Sequence, residues 1–211
     1  SSLYRGDVGV PITPVVPQPG MPRITVVPGL PTGTVANTTT NFVLPGPCAS
    51  PPCTSRFLFA TITGAIAGWN PNAPAAGSIV TVNGASNPGR QYTGLAMANN
   101  GVANFLYAPD FFNGKIDVYN STFALQPSAS FPFTDLTIPV GYRPFNVQNI
   151  GGLLYVTYAL FDPVTQKSVP GDGNGFVRRF DANGVRDATF GLNGSGGPGG
   201  NRLNAPWGVA L

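Results

Sequence analysis

The sequence predicts an all-β protein built from repeated sheets, and three observations carry that expectation. Apolar residues fall in short blocks separated by turn residues, the pattern of strands and not of helices. Gly (28) and Pro (23) recur too often for any long amphipathic helix. Three segments repeat one another: "RFLFATITGAIAGWNP" at 56–71, "NFLYAPDFFNGKIDVYNSTF" at 104–123 and "GLLYVTYALFDPVTQKSVPGDGNGFVRRFDANG" at 152–184.

Each segment opens on an apolar strand: Phe57-Leu58-Phe59, Phe105-Leu106-Tyr107 and Leu154-Tyr155-Val156. Each then turns through glycine, at Gly64, Gly114 and Gly175, where a missing Cβ permits left-handed backbone. Each resumes as a strand ending in an aromatic (Trp69, Tyr119, Phe180), followed by a polar turn residue (Asn70, Asn120, Asp181). These aromatics are 50 and 61 residues apart, and the extra length of the third unit lies in its hairpin loop, where insertions cost little. A further strand precedes each pair, at Pro31–Val35, Tyr92–Ala96 and Pro144–Val147, and Ala205–Val209 belongs to the same series. Candidate outer strands are Ile24–Val27, Ser78–Val82 and Phe133–Leu136.

Units of this length, with three or four strands and a Gly-turn-aromatic signature, predict a β-propeller. The division is 1–30 as the end of a partial first blade, then 31–83, 84–136 and 137–203 as full blades, with 204–211 opening the next. Fewer than four blades cannot close, so the open ends call for further residues, another chain or a packed neighbour. A β-sandwich and a β-solenoid are the alternatives.

Charged residues are only 9% of the chain, against roughly 25% in an ordinary soluble domain. The net charge of +3 includes a single basic doublet, Arg178-Arg179, so counterion-driven nucleic-acid binding is not expected. No apolar run reaches the roughly 18 residues of a membrane span. Cys48 and Cys53, in a Pro-rich loop, are expected to form a local disulfide, with two free thiols as the alternative. Histidine is absent, which removes Ser-His-Asp and Cys-His catalysis from these residues.

At this point "FATITGAIAGWNP", "YTGLAMANNG", "LYAPDFFNGKIDVYNSTF", "GYRPFNVQNIGGLLYVTYA", "GNGFVRRFDANG" and "LNAPWGVAL" resemble, in order, a family of secreted proteins related to NHL-repeat propellers. Some bacterial members carry a C-terminal sorting tail. The resemblance covers most of the chain from Thr32 onward. It implies six blades when complete, and a secreted, extracellular or cell-surface protein. The Cys48–Cys53 insertion and the "PVTQKSVPG" loop depart from the family pattern.

Propellers place function at the mouth of the central channel. The innermost strands are expected at Gly33, Gly94, Asn146 and Gly208, with Asn41, Asn99, Asn100, Gln148 and Asn149 as channel-lining candidates. Asn146 is the candidate ligand for calcium, a cation that favours amide and carboxylate oxygens; the bland alternative is that these amides satisfy strand-end backbone groups. Asn37, Asn120 and Asn193 match the glycosylation pattern, a match that chance produces readily in an Asn/Thr-rich chain. Asp110 is expected to cap the Asn113-Gly114 turn, and Trp69, Tyr119 and Phe180 to anchor blade packing. No catalytic residue is assigned.

The function expected first is therefore a secreted structural or interaction module that self-assembles or holds an extracellular polymer or protein. A calcium-dependent propeller hydrolase or lyase and a glycan-binding module are the alternatives.

Overall fold

The computed structural model describes residues 4–5, 13–14, 24–26, 30–49, 51–73, 78–84, 89–193 and 203–210. Most of the expected first partial blade (1–30) and of the Gly-rich linker expected at Gly191–Asn201 lies outside them, as does Val27 of one candidate outer strand. A two-stranded ladder joins β1 (Tyr4–Arg5) to β2 (Thr13–Pro14).

Three antiparallel sheets follow in chain order, and no α-helix occurs among the described residues. The first sheet is β3 (Pro31–Ala36), β4 (Phe57–Thr61), β5 (Ile66–Trp69) and β6 (Ile79–Val82). The second is β7 (Ala96–Asn99), β8 (Asn104–Asp110) and β9 (Lys115–Tyr119). The third is β10 (Tyr142–Ile150), β11 (Leu153–Asp162), β13 (Gly175–Phe180) and β14 (Arg186–Asn193), with β12 (Lys167–Ser168) extending the β11 hairpin. Each is a meander: apart from β12, which lies in the chain between β11 and β13, every neighbour in a sheet is a neighbour in sequence. No closed barrel or ring of sheets is present among the described residues.

Strand alternation stacks the sheets. Along β8, Leu106 and Ala108 face one way and join Leu58 and Ile66 of the first sheet, with Phe42 between them. Phe105 and Tyr107 face the other way and join Leu154, Val156 and Phe180 of the third. The second sheet is thus buried on both faces, which explains why β8 is apolar at successive positions instead of alternating. Rings meet edge-on across these layers, as in Tyr107–Phe133 at 5.8 Å.

The first strands of the sheets share an irregularity. Register breaks between Pro31 and Gly33 in β3 and between Pro144 and Asn146 in β10. In the second sheet an isolated Tyr92–Asp110 bridge precedes the regular ladder, which begins at Ala96. The expected strand at Tyr92–Ala96 is therefore displaced along the chain. The cause is close approach: a Cβ on Gly33 would strike the backbone of Gly94 and Leu95, and one on Gly94 would strike Asn146.

Two further expectations are corrected. Phe133–Leu136 is not a strand. Phe133 has φ +43° and gives its N–H to Gly184 of the third sheet, while the Asp135 carboxylate is drawn to Arg178. Gly175 is not a turn residue; it lies within β13, where a Cβ would meet Pro206 and Leu203, and the left-handed residues of this loop are Gln166 at φ +57° and Gly173 at φ +88°. The polar turn residues form one repeated device instead. The Asn70, Asn120 and Asp181 side-chain oxygens accept the N–H of Asn72, Thr122 and Asn183 respectively, two residues on.

Gly33→Ala has no room to relax, because the obstructing atoms are backbone. It is expected to destabilise the chain by about 1–3 kcal/mol in urea unfolding. Val102→Ala, at a fully solvated turn, is expected to stay within about 0.5 kcal/mol.

Candidate functional site

The first strand of each sheet is hydrogen-bonded on one side only within its sheet, so its other edge presents main-chain N–H and C=O groups. Between those edges lies a cleft of about 300 Å³, lined by Thr34–Ala36 of β3, Leu95–Met97 at the start of β7, and Gln148 and Asn149 of β10. Asn149 donates from Nδ2 to the Met97 carbonyl at 2.7 Å, tying the third sheet to the second. On the first sheet, the Thr32 hydroxyl donates to the Tyr92 carbonyl at 2.6 Å. Of the lining side chains, those of Thr34, Gln148 and Asn149 can donate and accept hydrogen bonds, the rest are apolar, and none ionises near neutral pH.

The structure divides the expected channel residues. Gln148 and Asn149 line the cleft. Asn41, Asn99 and Asn100 cluster at strand ends instead. Asn104 donates to Asn41 at 2.7 Å and accepts from Asn99 at 2.9 Å, while Asn100 accepts from Val102 and Ala103 and donates to Asn183 at 2.9 Å. Asn146 sits at the β10 bulge. Its Oδ1 accepts the Val147 N–H at 2.8 Å and its Nδ2 donates to the Trp207 carbonyl, so the residue links β10 to 203–210. Among the described residues no three His, Cys, Asp or Glu side chains gather as a metal would need.

Cys48 and Cys53 form a disulfide with Cα atoms 5.6 Å apart. Asn37 is buried: Nδ2 donates to the Asn41 and Ser55 carbonyls, and Oδ1 accepts from Thr39 N–H and hydroxyl. Asn120 is half-buried with its oxygen taken by Thr122 and Ala124. Asn193 ends β14, and the rest of its acceptor motif lies outside the described residues. Asp110 accepts from Asn113 N–H at 3.3 Å and from its amide at 2.7 Å, closing that turn; burial raises its pKa against these bonds. Tyr119 and Phe180 are fully buried, whereas Trp69 is half-buried against Phe57 at 6.1 Å.

Two buried ionic clusters escaped the sequence reading. Asp117 takes Arg90 at 2.6 Å, Lys115 at 2.8 Å and the Tyr92 hydroxyl at 2.8 Å; Tyr119 in turn bonds Tyr92. Burial raises both phenols, and Tyr119 reaches about 12. Asp135 takes Arg178 at 2.5 Å and Arg186 at 2.9 Å, and its Oδ1 accepts from the Thr137 N–H and hydroxyl. Lys115 and Asp117 are two apart on β9, but each arginine lies tens of residues from its carboxylate, which no local pattern connects.

Three proteins of Acanthamoeba polyphaga mimivirus are similar to this chain. Uncharacterized protein R648 is 32% identical over 189 residues, covering 85% of the chain and 42% of that protein. Uncharacterized protein R640 is 34% identical over 159 residues, covering 69% and 28%. Uncharacterized protein L690 is 36% identical over 123 residues, covering 56% and 29%. The chain spans less than half the length of each. No protein-family model matches it. No solved structure matches it.

Burial raises the Asp135 pKa, but the Thr137 bonds and Arg178 outweigh it and hold the carboxyl below its ordinary value. The unfolded chain then binds the proton more readily, so this group stabilises the fold above about pH 4 and loses its contribution as pH falls through the folded value. Asp135→Asn is expected to cost about 3–5 kcal/mol at pH 7, with the gap narrowing below about pH 4 in urea titrations at stepped pH. Asn37→Ala, which removes the five hydrogen bonds of a buried amide, is expected to cost about 2–4 kcal/mol. Asn120→Ala is expected to cost about 1 kcal/mol in the same assay.

Proposed function

We propose that the three sheets are successive blades of a β-propeller, related to the NHL-like family by sequence motif and six-bladed when complete. The chain serves as a secreted or cell-surface structural or interaction module. The observation that carries this reading is the convergence of the three first strands on one cleft, with Gly33 against Leu95, Gly94 against Asn146, and Asn146 against Trp207. Such nesting is what consecutive inner strands around a shared channel require. Sheets that are meanders in chain order support it too. The membership rests on the residue motifs, since no family model matches.

The cleft supports binding through main-chain and amide groups, not proton transfer. A half-exposed cluster on the third sheet supports association: Tyr155 packs on Phe190, and Arg179 lies over the Phe190 ring at 5.0 Å. A disulfide, and the lack of any helix among the described residues long and apolar enough to cross a membrane, are compatible with an extracellular setting.

Light scattering and calcium titration on one sample test the reading. The expected outcome is concentration-dependent association weakened by Tyr155→Lys, with the unfolding midpoint unmoved by calcium. A calcium-dependent rise in the midpoint that Asn146→Ala abolishes would sink it in favour of a channel-metal hydrolase or lyase.

A further inference from the structure

A second cavity, of about 320 Å³, lies between the second and third sheets, away from the cleft. Its apolar wall is built from Ile116 of β9 and from Phe133, Ile138 and Val140 of the connecting segment. The volume falls at the small end of the range typical of ligand pockets, roughly 300–1,000 Å³. Lys115, Thr134, Asp135, Tyr142 and Tyr158 bring polar groups to the same lining.

All but one of these polar side chains are engaged. Asp117 holds Lys115 at 2.8 Å, the Thr134 hydroxyl donates to the Pro132 carbonyl at 3.1 Å, and the Tyr142 hydroxyl donates to Asn174 Oδ1 at 3.2 Å. Asp135 accepts on Oδ1 from the Thr137 N–H and hydroxyl, and its Oδ2 takes Arg178 and Arg186. The exception is Tyr158: the residue is only 5% exposed, yet its hydroxyl has no hydrogen-bond partner among the described residues. A buried hydroxyl in that state costs stability, and native structures satisfy the great majority of such groups. Burial, reinforced by the charge of Asp135, raises its pKa, so the hydroxyl keeps its proton at every ordinary pH.

The charges at the cavity select a neutral occupant. An anion would meet the Asp135 carboxylate in the lining, and burying an unpaired charge beside a like one is costly. A cation would find both Asp135 oxygens already taken, one of them by two arginines. What remains for recognition is an apolar wall and one hydroxyl able to donate and accept. We propose that this cavity binds a small neutral alcohol with a ring-sized apolar body. The ligand hydroxyl shares a hydrogen bond with the Tyr158 hydroxyl, and the ring packs on Ile116, Phe133, Ile138 and Val140. The proposal is independent of how many sheets complete the fold, because every group it uses belongs to the second sheet, the third or the segment joining them.

The test is NMR titration of the chain, with isotope-labelled tyrosine rings, against probes that share one ring and differ in the head: benzyl alcohol, toluene, benzoate and benzylammonium. Benzyl alcohol is expected to shift the Tyr158 resonance saturably with a Kd of about 1 mM. The apolar, anionic and cationic probes are each expected to bind at least about tenfold more weakly. Tyr158→Phe, read at the Tyr142 ring, is expected to weaken benzyl alcohol by about tenfold and to leave toluene unchanged, with the fold intact by circular dichroism. Should that variant fail to fold, the Tyr158 resonance of the unmutated chain decides alone. Failure of benzyl alcohol to saturate would leave the hydroxyl to water and overturn the proposal. So would a silent Tyr158 resonance, equal binding of any other probe, or an unchanged affinity in Tyr158→Phe.

Discussion

The structure depends on how closely the first strands of neighbouring sheets approach one another. At Gly33 and Gly94 the adjoining chain occupies the volume a side chain would need. That contact brings the sheets near enough for Leu106 to meet Leu58 on one side and for Tyr107 to meet Phe180 on the other. Apolar burial then supplies the driving force, but the distance over which it acts is set at the glycines. Asn146 occupies the third position of the series and bonds across the junction instead of leaving space.

With so few charged residues, the chain places its ionic groups unusually. The side chains of Asp117 and Asp135 are each at most 3% exposed and each holds two cations. Desolvating these carboxylates is costly, and the hydrogen bonds from Tyr92 and Thr137 offset part of that cost. Each cluster gathers residues from separate segments, so it fixes how distant stretches meet more than it adds net stability.

The repeat was legible in the sequence because strand alternation and turn chemistry are local. Trp69-Asn70, Tyr119-Asn120 and Phe180-Asp181 announce both the strand end and the turn, and the β4–β5, β8–β9 and β11–β13 hairpins follow from them. The Phe133–Leu136 segment misled because its β-rich composition matches an outer strand, while its conformation is decided by Arg178, Arg186 and Gly184 of the next sheet. β14 was hidden for a related reason: its Gly191-Leu192-Asn193 end reads as the start of a Gly-rich linker, yet it pairs with β13. Of the candidate site, Gln148 and Asn149 were legible from their place on an inner strand. The two buried ionic clusters were not, since their arginines reach Asp117 and Asp135 from distant segments and leave no mark in the residue order.

The side-chain closure at Asn70, Asn120 and Asp181 also bears on how such a chain is assembled over evolutionary time. Each bend carries its own closing group within a few residues, so no distant partner must change when a unit is copied. A duplicated segment would arrive with its register already encoded, and would need to match its neighbours only at the glycine junction and the two flanking faces. Length can then grow by whole units, and loops such as the one bearing Cys48 and Cys53 can diverge without disturbing the frame.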